Sequence, residues 1–247
     1  KKKRTLIFAA VLACACMAAI VVVSKIVTAN RYQKAVSLME AGEYDAAIEL
    51  FEGLGDYKDS PENYLYSKYR NATVLLEAEK YREAYDEFRE LKEYRDSPKK
   101  LKKAQLGNIY GDMEALVDAG EYKEADRVYA DVDQEDYEEC QELLERMEQL
   151  NVVNQYYLAE GFMEEGQYKE ATAAFRESGY YGDSQEKMLQ IFQSVSVGDS
   201  IYLGACEQDN IKWNGPENIE WRILEKEEER ILVISRYVLD GIPYDSD

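Results

Sequence analysis

AGEYDAAIELFEGLGDYKDS, residues 41–60, returns in altered form as AEKYREAYDEFRELKEYRDS at residues 78–97. A catalytic loop has no reason to be copied along a chain, whereas a packing unit does. Aligning the two on Tyr44 and Tyr81 brings in two further copies, anchored on Tyr122 and Tyr168, at spacings of 37, 41 and 46 residues. Twelve residues before each anchor stands a tyrosine (Tyr32, Tyr69, Tyr110, Tyr156), and three after it an alanine (Ala47, Ala84, Ala125, Ala171). Seven after it comes an aromatic ring: Phe51, Phe88, Tyr129 and Phe175. Two before it are Gly42, Gly120 and Gly166, with Glu79 as the exception.

These offsets have a direct physical meaning. Tyr44, Ala47, Ile48 and Phe51 fall at i, i+3, i+4 and i+7, one face of a helix. Tyr32, Ala35 and Leu38 or Met39 draw the same stripe on a preceding helix. Gly42 lies between the stripes, where a left-handed residue ends a helix and turns the chain. The alanine lets the two helices approach, and the aromatic fills the space further along. Each copy therefore predicts a helical hairpin with an apolar edge that a neighbouring hairpin must cover. Asp59-Ser60-Pro61 and Asp96-Ser97-Pro98 mark the junctions, with Ser60 and Ser97 as N-caps and proline at the first helical position. Asp183-Ser184-Gln185 keeps the cap, and Tyr137-Glu138-Glu139-Cys140 is its degenerate version after a two-residue insertion. Tyr57, Tyr94 and Tyr181 are expected to pack back on the hairpin just completed.

The G-x-Y-x-x-A-x-x-x-F core, as in Gly42-Glu43-Tyr44…Ala47…Phe51 and Gly166-Gln167-Tyr168…Ala171…Phe175, resembles the tetratricopeptide repeat over residues 30–193. The copies are longer than that family's repeat, and Leu54, Leu91, Val132 and Ser178 stand where it prefers alanine. The resemblance implies a right-handed α-solenoid of about four hairpins that binds a protein or peptide in its concave groove. Tyr32, Tyr69, Tyr110 and Tyr156 are then candidates for a ladder lining that groove; the rival reading places them in the core.

At the N-terminus Lys1–Arg4 precede twenty uncharged residues, Thr5 to Ser24. As a helix this tract is about 30 Å long, the thickness of a bilayer's hydrocarbon layer. The basic stub predicts a cytoplasmic N-terminus, with the bulk of the chain outside the cell membrane on a single span. Three rival readings fit less well. A cleaved signal peptide has a shorter apolar core, although Val27-Thr28-Ala29 offers a cleavage site. A lipobox at Cys14 would be followed by too long an apolar run. A buried core helix would not adjoin four basic residues.

Composition narrows the function. The chain of 247 residues has 30 basic and 50 acidic side chains, and a net charge of −20. Lys1, Lys2, Lys3, Arg4 and Lys25 hold all the charge of residues 1–25, leaving 25 basic against 50 acidic groups beyond. Such an excess repels phosphates and argues against nucleic acid. There is no histidine, which removes the commonest general base and metal ligand. The four cysteines show no zinc or redox spacing; for Cys140 and Cys206 both a disulfide and two free thiols remain open. Asp131-x-Asp133-x-Glu135…Glu142 has calcium-loop spacing but Asp136 where the turn needs glycine. Gly53-Leu54-Gly55 lacks the rest of a phosphate loop. No catalytic, cofactor or metal residue is assigned, and the chain is expected not to be an enzyme.

After Gln193 the helical stripes stop. Residues 194–199 read as a linker, and SIYLG (200–204), IEWRIL (219–224) and RILVISRY (230–237) as strands between turn signals. With the flanking G-D-x-I and V-L-D…P-Y elements, this β-rich segment, 200–247, resembles the opening of an uncharacterised bacterial domain, distantly similar to the C-type-lectin and formylglycine-generating-enzyme fold. That resemblance implies a domain continuing past Asp247. The expected organisation is thus a stub and anchor (1–29), a mainly α solenoid (30–193), a linker, and an incomplete β-rich domain. Two functions follow: a membrane-anchored scaffold for a basic, partly apolar protein or peptide, or a stalk presenting a ligand-binding or enzymatic C-terminal domain.

Overall fold

The computed structural model describes residues 2–206, 216–228 and 230–237, with side chains from residue 17 onward. The described residues form nine α-helices followed by a small antiparallel sheet. The helices are α1 Lys2–Glu40, α2 Tyr44–Leu54, α3 Ser60–Glu77, α4 Tyr81–Leu91, α5 Ser97–Asp118, α6 Tyr122–Ala130, α7 Gln141–Glu164, α8 Tyr168–Glu177 and α9 Ser184–Ser194. A 3₁₀ helix, Gln134–Cys140, precedes α7. The chain forms two compact units, residues 1–108 and 109–247.

One turn is used four times. At the α1–α2 connection the Glu43 amide donates to the Leu38 carbonyl at 2.9 Å and the Gly42 amide to that of Met39 at 3.2 Å. Lys80 and Glu79 repeat the pair onto Leu75 and Leu76, Glu121 and Gly120 onto Leu116 and Val117, and Gln167 and Gly166 onto Phe162 and Met163. This double bond is the Schellman motif, which satisfies the last carbonyls of the first helix. Its left-handed residue has φ of 80°, 77° and 73° at Gly42, Gly120 and Gly166, and 56° at Glu79. The sequence exception therefore keeps the conformation and bears the steric cost of a Cβ.

In the first unit, Ala35 and Ala47 are fully buried where α1 meets α2, with Phe51 and Tyr32 beside them. Ala72, Ala84, Phe88 and Tyr69 form the same core between α3 and α4. In the second unit, Ala159, Ala171 and Phe175 fill it between α7 and α8. The copy at α5–α6 departs: Met113 replaces the small residue of the first helix and is fully buried, while Tyr129 is only half-buried.

The junctions correct one expectation. Ser60, Ser97 and Ser184 are first residues of their helices and are buried rather than capping. Asp59 and Asp183 stand at the cap positions, yet neither side chain makes a capping bond. Cys140 is buried at the matching place in the degenerate copy, so a small side chain is what the site selects. Tyr57 and Tyr94 do pack back, with ring centroids 5.7 and 5.9 Å from Tyr32 and Tyr69, and Tyr181 lies 5.4 Å from Tyr156.

The strands β1 Ser200–Cys206, β2 Glu217–Lys226 and β3 Ile231–Ser235 form a meander in the order β1-β2-β3. Ile201 pairs with Trp221, and Trp221 with Ser235. The inward Ile201 and Ile223 share one core with Phe175 of α8 and Ile191 of α9. The 194–199 stretch, expected as a linker, is pinned between them. Val195 is fully buried, Gly198 donates to the Ile223 carbonyl at 2.8 Å, and the Ile223 amide donates to that of Asp199 at 2.9 Å. Residues 207–215 and 238–247, which carry the rest of the motif read in this segment, lie outside the described residues.

Residues 5–24 fall within α1, but those up to 16 lie outside the described side chains. Among the described residues, no helix is long and apolar enough to cross a membrane. The remainder of the tract is apolar and exposed nonetheless: Met17, Ile20, Val21, Val22, Val23, Ile26 and Val27 are each more than half exposed. α1 continues without a break from this stretch into the first hairpin.

Candidate functional site

The four ladder tyrosines are distributed between two environments. Tyr32 meets Phe51 edge-on at 6.2 Å, with Lys58 Nζ 4.8 Å from its ring centre. Tyr69 meets Phe88 at 6.3 Å and is flanked by Arg95 and by Lys100, whose Nζ stands 4.4 Å from the ring. Tyr156 meets Phe175 at 5.9 Å. Each of the three thus joins an aromatic triad of first helix, second helix and junction loop, an arrangement that contributes beyond area burial. Tyr32 and Tyr69 are 8% and 9% exposed, so their rings offer little face to a partner. At Tyr110, Arg146 covers the ring at 4.6 Å, and the hydroxyl donates to Glu114 at 3.0 Å.

The hydroxyls explain the conserved spelling of the junction within the chain. Tyr69 donates to Asp96 Oδ1 at 2.5 Å, and Tyr156 to Asp183 Oδ1 at 2.6 Å, each partner 27 residues on. Lys100 donates back to the Tyr69 hydroxyl at 2.7 Å. The Asp96 carboxyl is held below the usual range by the Tyr69 bond, against burial, with Lys100 assisting. The Asp183 bond, then burial and Glu160, push the Tyr156 phenol far above its ordinary range. In the second and fourth copies the aspartate of Asp-Ser therefore ties the hairpin shut from its open end. The shared 27-residue separation of Tyr69/Asp96 and Tyr156/Asp183 was the signal for this pairing in the sequence, although Tyr32 and Asp59, equally spaced, form no such bond among the described residues.

Two surface features were not anticipated. Tyr122 at the start of α6 stacks on Tyr157 of α7 at 5.3 Å with 14° between ring planes. They border a cleft of about 170 Å³ with Lys123, Gly161 and Glu165. A larger cleft of about 650 Å³ lies between α9 and the sheet, lined by Leu189, Phe192, Leu203 and Ile231 with Lys226 and Arg230. Lys226 Nζ there donates to the Gln193 and Val195 carbonyls, closing the end of α9.

No protein-family profile matches this chain, and a search of curated proteins finds no match.

The remaining chemistry is structural. Glu220, 8% exposed, is bridged by Lys169 at 3.0 Å and Arg236 at 2.8 Å. Burial alone would push its carboxyl up, but bonds from Arg236, Lys169 and Ser200 outweigh it and hold the group below the usual range. Glu177 behaves in the opposite way: the residue is exposed at the surface, but partial desolvation of its carboxyl raises it, and nearby Asp126 adds to the rise against Arg176. The calcium-like stretch is the 3₁₀ helix, where Asp133 accepts from the Glu135 amide at 3.1 Å. Among the described residues no group of three ligating side chains is placed to hold a metal ion. Cys140 and Cys206 are free thiols.

Proposed function

We propose that the chain is a membrane-anchored repeat protein whose hairpins act as a scaffold for a protein or peptide partner outside the cell. The observation that carries this reading is the fourfold repetition of one hairpin, down to the same pair of turn hydrogen bonds. Repeated units of this kind bury their faces against one another and leave equivalent side chains in rows. On this reading the copies continue as a right-handed α-solenoid related to tetratricopeptide repeats. The exposed apolar side chains from Met17 to Val27, adjoining the uncharged tract and Lys1–Arg4, support a bilayer as the occupant of the N-terminal part of α1.

The acidic excess beyond residue 25 favours a partner with basic and apolar groups. The Tyr122–Tyr157 stack beside Lys123 and Glu165 is a better contact than Tyr32 or Tyr69, because Tyr157 keeps 38% of its surface exposed. The alternative, a stalk carrying a ligand-binding C-terminal domain, is favoured by one feature, the apolar cleft between α9 and the sheet.

Capture of surface and secreted proteins from the source organism on residues 30–247, at low and high salt, separates the two. The strands stay in the bait because Ile201 and Ile223 complete the core of the last hairpin. A scaffold retains a partner whose binding weakens with salt and with Tyr157→Ala. Retention lost with Leu189→Asp and unaffected by Tyr157→Ala supports the stalk.

A further inference from the structure

The continuity of α1 fixes how the first hairpin meets the membrane. The exposed apolar stretch ends at Val27, and Arg31 and Tyr32 follow in the same helix. Four residues of helix rise about 6 Å, comparable with the head-group layer on one side of a bilayer. No flexible segment intervenes to lift the hairpin away.

The antiparallel return of the chain decides which part of the hairpin lies at that level. A Cβ on Gly53 would stand 3.2 Å from Arg31 Nη2. Tyr57 packs on Tyr32 at 5.7 Å, and Lys58 Nζ lies 4.8 Å from the same ring. The α2–α3 loop is therefore beside the first turn of α1 beyond the apolar stretch. At the opposite end of the hairpin, α1 runs thirteen residues past Val27 to Glu40 before the turn at Ala41–Glu43, which puts that turn about 20 Å beyond Val27.

We infer that the α2–α3 loop, Gly55 to Asp59, rests at the head-group level of the bilayer, which makes the first hairpin a rigid collar on the membrane rather than a freely swinging arm. The inference rests on the reading of α1 as a membrane anchor. Its chemistry fits an interface. Tyr57 and Tyr64 are half-buried rings of the type that settles among head groups. Arg31, Lys58 and Lys25 are exposed cations with stems long enough to reach phosphates. Asp56 and Asp59 share the loop, so charge attraction is not what holds it there. The helix does, by geometry.

The test uses the full chain, with Cys14 and Cys16 changed to alanine and Cys140 and Cys206 to serine, in vesicles of phosphatidylethanolamine and phosphatidylglycerol. A fluorophore is attached at Ile20→Cys, Asp56→Cys or Glu43→Cys, and quenched by nitroxides carried on lipid head groups or on acyl chains. The expected pattern is strong acyl-chain quenching at position 20, and head-group quenching several-fold stronger at 56 than at 43. A Gly-Ser insertion between Thr28 and Ala29 should bring position 56 down to the level of 43 while leaving position 20 unchanged. Equal head-group quenching at 56 and 43, with position 20 still quenched, overturns the collar and leaves the anchor standing. Loss of quenching at position 20 overturns the anchor itself. Persistent quenching at 56 after the insertion contradicts a collar imposed by the helix.

Discussion

Gly107 and Gly111 lie one turn apart in α5, yet their replacement has opposite consequences. A Cβ on Gly107 would fall 2.3 Å from ring carbons of Tyr81, whereas nothing lies within 4 Å of one on Gly111. Alanine at an open helical site gains up to about 1 kcal/mol over glycine, so Gly111→Ala should raise the melting temperature. Overpacking a closed site costs about 1–3 kcal/mol, so Gly107→Ala should lower it despite the better propensity. Thermal melts of the two variants check the signs directly. Phe51 and Phe88 are almost fully buried, while Glu43 is exposed. Their replacement by alanine should cost about 3–5 kcal/mol each, against under about 0.5 kcal/mol for Glu43→Ala, by denaturant unfolding. Equal losses would mean that the helix faces are wrongly assigned.

At the scale of elements, the hairpins were legible because their period and their glycines are local signals. Gly42, Gly120 and Gly166 announced left-handed turns, and Ala47 and Phe51 announced the buried face. Asp96-Ser97 and Asp183-Ser184 were misread because a cap and a cross-hairpin tie use the same residue types. Only chain closure shows that Asp96 faces Tyr69 from 27 residues away. The role of 194–199 was hidden for a similar reason, since Val195 is buried by strands that come after it. The sheet adds a pH dependence with a definite sign. Glu220 has a folded pKa below its unfolded one, so its contribution is present above the ordinary glutamate range and lost as pH falls through the folded value. Glu177, with a raised folded pKa, contributes in the opposite direction and in the range above the ordinary glutamate value, where its ionisation disfavours the folded state. Comparison of Glu220→Gln with the parent chain isolates the first term. Acidification should weaken amide-exchange protection of β2 in the parent, and much less in the variant. An identical loss in both would remove Glu220 from the docking of the sheet.

At the scale of the whole molecule, the proposed membrane display rests on the junction between an uncharged tract and a rigid hairpin. The Lys1–Arg4 stub and the length of the 5–24 tract were readable from the sequence, whereas the unbroken passage of α1 into the first hairpin was not. Asn30 and Arg31, polar and beside the tract, read equally well as the start of a separate helix. The identity of a partner is not written in repetition at all, because the repeated positions are those that pack. Tyr32 and Tyr69 illustrate this, being constant in the sequence and closed in the core. The display claim is tested most directly by an impermeant maleimide applied to intact cells expressing the full chain with its four native cysteines replaced and Glu43→Cys introduced. Labelling of the membrane fraction before lysis is the predicted result. Labelling only after lysis, or recovery of the unprocessed chain outside the membrane fraction, would contradict it.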